Sequence, residues 1–477
     1  MGMIRNGSPL NIFDKLRVLI LVALVLAMFS PIFGNSVSAI SNGRFVFARY
    51  NMDGSLDMSF GADVGSVDGK KAVNFLTSCH EELNSIAIDL NGKIVAGGSG
   101  AQNCGSTTGN TKNAFVLTRL KPDGSLDASF SADGKVKTDL PGSSAEFITS
   151  IAIDNFNNKI VVGGYRFFNL NPIDSRFVFA RYNTDGSLDT SFANSGILDF
   201  NMPGSSDERV NSIAIDHTTG KIVAGGFYTV NPDDIRFLLV RLNHDGSLDS
   251  SFAGDGLKGT NIPGSPSEVI KSVAIDKING KIVVGGYYTK MNGDQRFVVG
   301  RYNTEDGSID TTFDKPGNPG LHDGVDLTNL PLCLNRGAFV SVAIALNHKV
   351  AAGGDCNIGF RPIIARYNVD GSLDKSFSVH GDGIGAIPPF TNEFRSIAID
   401  ANGKIVGAGM GILNQDPMFV LARYNTNGDI DPNFHNPGGS QGQPVASNIL
   451  SGGPDFINSI VIDSNGRIVA GGVMEDP

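Results

Sequence analysis

Six carboxylates stand at nearly the same distance ahead of a recurring serine. Glu81, Glu146, Glu208, Glu268 and Asp455 each precede a segment of the type Ser-Ile-Ala-Ile-Asp by four residues, Glu393 precedes its own by three, and Gly337 breaks the series. If these segments lie side by side about one axis, the acids would gather at one mouth of a channel. Side chains four apart in a strand share a face, so each acid and its serine would point the same way. Close carboxylates repel, and either solvent or a cation must relieve that. The reading therefore lies between a solvated rim and a site for a metal ion, calcium included, or for a basic group.

Other charged residues recur more strictly. Arg49, Arg119, Arg181, Arg241, Arg301, Arg366 and Arg423 are each followed, eight or nine residues on, by Asp57, Asp127, Asp189, Asp249, Asp310, Asp374 and Asp431. A residue present in every copy serves the repeat, not one active site, so these pairs are expected to tie a strand to a neighbouring turn by charge-assisted bonds. The phenylalanines that follow, Phe60, Phe130, Phe192, Phe252, Phe313, Phe377 and Phe434, are expected to fill the core. Within N-x-DG-S-x-D several oxygens crowd together as at the start of a calcium loop, but no distal bidentate Glu follows, and a turn needs the same residues. His80, His217, His244, His322, His348, His380 and His435 do not recur in phase and read as surface residues. The chain has no G-x-S-x-G, H-E-x-x-H or P-loop sequence, so no catalytic residue and no resident cofactor is expected, with calcium the one ion the oxygens would suit.

The elements that must position these residues are short strands. Three motifs recur seven times in fixed order along the 477 residues. The SIAID type starts at Ser85, Ser150, Ser212, Ser272, Ser341, Ser396 and Ser459. The KIV-x-GG type starts at Lys93, Lys159, Lys221, Lys281, Lys349, Lys404 and Arg467. The third, F-x-x-x-RYN-x-DGSLD-x-SF, carries the recurring Arg and Asp. Each motif is apolar or alternating over four to six residues and is bounded by Gly, Asn or Asp, which favours strands joined by tight turns. One unit then reads as strands A, B, C and D of an antiparallel meander that cannot bury both faces alone, so the units must stack radially. The first motif met is C–D and the last is A–B. The expectation is an all-β fold, a seven-bladed β-propeller of four-stranded antiparallel blades, closed by pairing of residues 45–50 with residues 468–471.

The DGSLD-x-SF and DGKIV-x-GG signatures resemble the delta-60 repeat family of exported bacterial proteins, and the strand order resembles NHL-type propellers. The resemblance spans nearly all of residues 44–472. It implies a propeller and no catalytic residues.

Residues 1–39 read as a signal peptide: Arg5, Lys15 and Arg17 precede an apolar run at 18–28, and Val37-Ser38-Ala39 offers small residues for cleavage. Residues 40–477 would be the propeller, secreted, periplasmic or at the cell surface, with no stable membrane span after processing and expected as a monomer. The chain carries a net charge of −10, and the leader takes away more basic than acidic groups. So acidic a surface repels nucleic acid. Cys79 and Cys104 flank a hairpin about Asn91-Gly92 and are expected to form a disulfide, as are Cys333 and Cys356, whose register is offset by several residues. The A–B and C–D turns are short and uniform. The B–C and D–A connections vary, as at 100–113, 166–175, 315–334 and 435–454, and variable loops on a rigid scaffold are where recognition resides. The expected function is non-catalytic binding of a protein or glycan through those loops, with Phe227, Tyr228, Tyr287 and Tyr288 as candidate anchors. The alternative is a calcium-dependent propeller hydrolase or lactonase acting at the axial mouth.

Overall fold

The structure is a computed structural model that describes residues 43–61, 68–75, 80–102, 112–170, 173–313, 324–328, 333, 336–356, 361–378, 380–389, 391–413, 415–437, 439–449 and 453–475. The leader at 1–39, Cys79, Cys104 and His322 lie outside the described residues. Residues 42–477 form one compact unit. No helix among the described residues is long and apolar enough to cross a membrane.

The first two strands, β1 (Gly43–Tyr50) and β2 (Lys70–Val73), are completed only by the end of the chain. Blade I then runs β3 (Glu81–Ile88), β4 (Ile94–Gln102), β5 (Lys112–Leu120) and β6 (Lys135–Thr138), and blade II runs β7 (Ala145–Asp154), β8 (Lys159–Leu170), β9 (Ile173–Tyr182) and β10 (Ile197–Phe200). Blade III holds β11 (Glu208–Ile215), β12 (Ile222–Asn231), β13 (Asp234–Leu242) and β14 (Leu257–Thr260), and blade IV holds β15 (Ser267–Asp276), β16 (Lys281–Thr289), β17 (Gln295–Asn303) and β18 (Val325–Thr328). A sheet of three strands follows, β19 (Gly337–Ile344), β20 (Val350–Cys356) and β21 (Arg361–Tyr367). Blade V comprises β22 (Thr391–Ile399), β23 (Ile405–Leu413), β24 (Asp416–Tyr424) and β25 (Val445–Ser447). The last strands, β26 (Asp455–Ile462) and β27 (Ile468–Glu475), join the first two in the order β2-β1-β27-β26.

The all-β propeller is present, but seven equal four-stranded blades are not, and the blade count is corrected. Five blades are complete four-stranded meanders of consecutive strands. One further sheet is assembled from both chain ends, and another has three strands. The missing outer strand has a physical cause. Residues 381–389 contain Gly381, Gly383, Gly385, Pro388 and Pro389, and they contribute one bridge, Ala365 to Ile384, because Gly resists extended order and Pro has no N–H for a ladder. Blades III and IV are also not separate sheets, since a parallel bridge from Ile235 to Ser267 joins their strands.

The chain ends meet along the whole of β1, from Gly43 opposite Glu475 to Tyr50 opposite Ile468. Around the axis each recurring serine accepts a hydrogen bond from the next inner strand. Ile151 N–H donates to Ser85, Ile213 to Ser150, Val273 to Ser212, Val342 to Ser272, Ile397 to Ser341, Ile460 to Ser396 and Ile86 to Ser459, at 3.0–3.2 Å. The last of these closes the circle. Apolar clusters sit between adjacent sheets: Phe115 and Leu117 of blade I pack with Ile148 and Ile151 of blade II, and Phe45 and Phe47 of β1 pack with Leu83 and Ile86 of blade I.

Each inner strand is bulged one residue before its serine, as between Leu83 and Ser85 or Val210 and Ser212. The extra residue reverses the alternation. The acid and the serine therefore lie on opposite faces, against the shared face expected from their spacing. The bulge also brings backbone close to the second Gly of KIV-x-GG: a Cβ on Gly164 would lie 1.9 Å from the Phe147 carbonyl oxygen, so no other residue fits there.

Candidate functional site

The repeated charges form one device per copy. The Nε of each recurring Arg lies 2.6–2.8 Å from its Asp carboxylate. The same carboxylate meets the cation that opens KIV-x-GG, Lys93, Lys159, Lys221, Lys281, Lys349, Lys404 or Arg467, at 2.6–3.2 Å. That second cation recurs in every copy, as Lys six times and Arg once, and this recurrence was the signal that could have found it. Each guanidinium also lies over its phenylalanine, 4.5–4.8 Å from the ring centroid. Several reach across to the next sheet: Arg301 donates to the Val369 carbonyl at 2.6 Å, and Arg181 and Arg241 donate to His244 and Thr304 in the same way. Burial alone would raise Asp189, but Lys159, Ser191 and Arg181 outweigh it and hold the carboxyl well below the usual range.

The acids ahead of the serines also act within their own blades. Glu81, Glu146, Glu208, Glu268 and Asp455 are fully buried. Each accepts a backbone N–H from the residue six positions earlier, in the link that enters its strand: Phe75 at 2.8 Å, Leu140 at 3.1 Å, Met202 at 2.7 Å, Ile262 at 3.2 Å and Ile449 at 2.6 Å. Burial pushes Glu146 up, and lifts Glu208 and Glu268 to about 7. Gly337 breaks the series because a Cβ there would lie 2.3 Å from the ring of Phe297. Glu393 takes a different row, where Arg395 donates to it at 2.5 Å. Among the described residues no three His, Cys, Asp or Glu side chains come together to hold a metal ion.

Where the inner strands begin and their B neighbours end, the copies differ. The row three before the serine reads Glu82, Phe147, Arg209, Val269, Ala338, Glu393 and Phe456, and it faces Ser99, Tyr165, Phe227, Tyr287, Asp355, Met410 and Val473 across the ladder. The bulge residues are Asn84, Thr149, Asn211, Lys271, Val340, Arg395 and Asn458. Four of these bind a backbone carbonyl of the next inner strand: Asn84 donates to Ile148 at 2.9 Å, Thr149 to Val210 at 2.7 Å, Asn211 to Ile270 at 2.7 Å and Asn458 to Leu83 at 2.6 Å, while Arg395 donates to the Asn458 side chain at 2.8 Å. At Lys271, Val340 and Arg395 other side chains take the place.

These substitutions build an uneven site of aromatic rings and charges. Arg209 pairs with Asp207 at 2.9 Å and lies over Tyr165, Phe167 and Phe227, 4.8, 5.1 and 5.6 Å from the ring centroids. Phe147 stacks on Tyr165 at 5.1 Å. Lys271 lies 5.9 Å from the centroid of Tyr287, and burial, with Arg209 adding to it, lowers its amine to about 8. Asp355 is pushed up to about 6 by burial and by Glu393, against Arg395 and Arg336.

Of the candidate anchors, Phe227 and Tyr287 are buried, at 2% and 8% exposure, and pack with Val269. Tyr228 and Tyr288 are half-buried, packed against the cores on either side of blade III. Cys333 and Cys356 form a disulfide with Cα atoms 5.2 Å apart; Cys333 stands four residues ahead of Gly337, the ladder partner of Cys356. His244 and His348 lie on the turn face, against Asp154 and Asp276 at 2.9 and 3.0 Å. A cleft of about 820 Å³ lies where the two-ended sheet meets blade V, lined by Asn51, Lys70, Asn436 and Asn448 among others.

Seven segments, 33–60, 91–130, 157–192, 218–252, 279–313, 349–377 and 401–434, match the family described as domain of unknown function (DUF5122) beta-propeller. The chain belongs to a β-propeller repeat family. No curated protein matches it. Among solved structures it is similar to a puromycin hydrolase, at 11% identity and a TM-score of 0.40, covering 91% of this chain and 58% of that one. It is also similar to a polysaccharide lyase, at 10% identity and a TM-score of 0.43, covering 90% and 98%, and to the extracellular domains of Drosophila Semaphorin 1a, at 9% and 0.41, covering 82% and 86%. The puromycin hydrolase is the longer molecule, and this propeller spans under two thirds of it. At such identities and TM-scores the likenesses carry no argument about function.

Proposed function

We propose that this protein is an exported, non-catalytic recognition propeller of the delta-60 and NHL-like kind, binding a protein or glycan at the end of the ring where the inner strands begin. One observation carries the reading. Positions that serve the scaffold keep one residue type from copy to copy, whereas the rows through Arg209, Lys271 and Asp355 hold five, five and six residue types in seven copies of equivalent backbone. A scaffold has no use for such variety, but a single ligand lying across the axis does. Stacked rings flanked by cations suit the apolar face and polar edge of a sugar or a peptide side chain. The charges at hand largely engage one another, Arg209 with Asp207 and Arg395 with Glu393, and that supports binding over turnover.

The test is a glycan and peptide array probed with the wild-type protein and with a Tyr165→Ala/Arg209→Ala variant. A ligand held by the wild type and weakened at least about tenfold in the variant is expected. Equal retention by both proteins, or calcium-dependent hydrolysis of the retained ligand, would overturn the reading.

A further inference from the structure

The opposite end of the inner strands carries a feature that neither the scaffold nor the ligand site uses. The A–B turns there expose large apolar side chains: Leu90 at 60%, Phe156 at 58%, Ile278 at 74% and Leu346 at 84%. The turn does not require them, since the equivalent places hold Thr218, Ala401 and Ser464 in other copies. Exposed apolar residues scattered singly need no explanation. These are not scattered, because neighbouring turns touch. Leu90 N–H donates to Asn158 Oδ1 at 3.1 Å, Phe156 lies edge-on to His244 with centroids 6.4 Å apart, and His348 contacts Asp276 at 3.0 Å.

The C–D turns ring this patch on the same face. Within a blade the two turns are in contact: a Cβ on Gly466 would meet Met52 at 3.2 Å, and one on Gly220 would meet His244 at 3.0 Å. The C–D tips present Asp53, Asp123, Asp185, Asp245, Asp306 and Asp370, all exposed. Each accepts both the N–H and the O–H of the serine two residues on, as Asp185 does from Ser187 at 2.9 and 2.6 Å, which keeps the carboxylates charged and fixed. Against them the turn tips set Lys121 and Lys277.

We infer that this face is a second interaction surface, and that it docks a basic amphipathic segment of another polypeptide, its apolar side laid on the inner turns and its Lys or Arg residues on the outer aspartates. Charge complementarity selects this occupant: an anionic partner, lipid or protein, would meet a rim of carboxylates. The surface is independent of the ligand site, so either can fail without the other.

The probe is a labelled peptide of about 18 residues, built of Leu and Lys in an amphipathic helical pattern, with a Leu/Glu counterpart, read by fluorescence anisotropy. The wild-type protein is expected to bind the Leu/Lys peptide, more weakly as salt rises, and to ignore the Leu/Glu peptide. A Leu90→Ser/Phe156→Ser/Ile278→Ser/Leu346→Ser variant should bind at least about tenfold more weakly with an unchanged urea midpoint. Should that variant unfold, Asp185→Asn/Asp245→Asn gives the second reading, with weaker binding and a flatter salt dependence. The inference is overturned if the Leu/Lys peptide does not bind, if the Leu/Glu peptide binds equally, if the folded variants bind as the wild type does, or if vesicles of anionic lipid bind instead.

Discussion

Replacing Glu208 and Glu268 by Gln should make the protein more stable in alkali while leaving it nearly unchanged near pH 4. Both carboxyls are fully buried and rise from 4.5 to about 7, chiefly by burial, even though the Met202 and Ile262 N–H groups pull them down. The folded value lies above the unfolded one, so the stability these groups lend is fully present below 4.5 and is lost as pH rises through about 7. At 1.36 kcal/mol per pH unit, each group forfeits about 3 kcal/mol between those limits. Gln copies the shape of the neutral acid: its oxygen can keep the N–H that Oε1 accepts, and its amide nitrogen takes the place of Oε2, which is buried without a hydrogen-bond partner among the described residues. Urea unfolding of wild type and the Glu208→Gln/Glu268→Gln variant at pH 4 and pH 9 is the assay. Near-coincidence at pH 4 and an advantage to the variant of up to about 6 kcal/mol at pH 9 are expected. Asp355 and Lys271 also titrate in this range, but they are common to both proteins and cancel in the difference. Parallel curves for the two proteins would refute the argument, because they would mean that these carboxylates are ionised in the fold at no cost.

Other perturbations test other parts of the ring. Asp189→Asn leaves Arg181 and Lys159 facing a neutral amide and should cost about 3–5 kcal/mol in urea unfolding. The carboxyls of Asp310 and Asp374 are held near about 2, below their unfolded value, so their contribution is present at neutral pH and is lost as pH falls through the acid range; an acid titration followed by circular dichroism should show this limb. The Cys333→Ser/Cys356→Ser variant opens a link spanning 23 residues and should lose about 3 kcal/mol, and the same loss should follow reduction of the wild type.

The sequence was most legible where the copies agree. Seven-fold recurrence of Arg, Asp and Phe at fixed spacing could come only from a repeated scaffold, and Arg181, Asp189 and Phe192 do form one contact set. Lys159 belongs to that set but reads in sequence as the polar start of a strand, because a salt bridge across a hairpin leaves no local mark. The bulge was hidden for the same reason. Strict alternation through Glu146, Ile148 and Ser150 looks regular until the ladder shows Ile148 and Ser150 opposite successive glycines, and that shift sends the acids into their own blades instead of toward the axis. The three-stranded sheet was foreshadowed by Pro388 and Pro389, whose effect depends on whether an outer strand was needed there.

The bulge also explains how a repeat can carry a one-of-a-kind site. In a regular strand every side chain packs on a neighbour, and seven copies would be held to one residue type by that packing. A bulge frees one position from the ladder, and that position tolerates Asn, Thr, Lys, Val and Arg in turn because its backbone is already anchored by the serine that follows it. The glycine pair opposite the bulge absorbs the distortion, leaving the next residue along, Tyr165, Tyr287 or Asp355, free to vary as well. Serine ring and bulge thus separate what must be constant from what need not be. The fold's own geometry permits the variety around Arg209 and Lys271 without requiring it, and leaves those positions to the ligand.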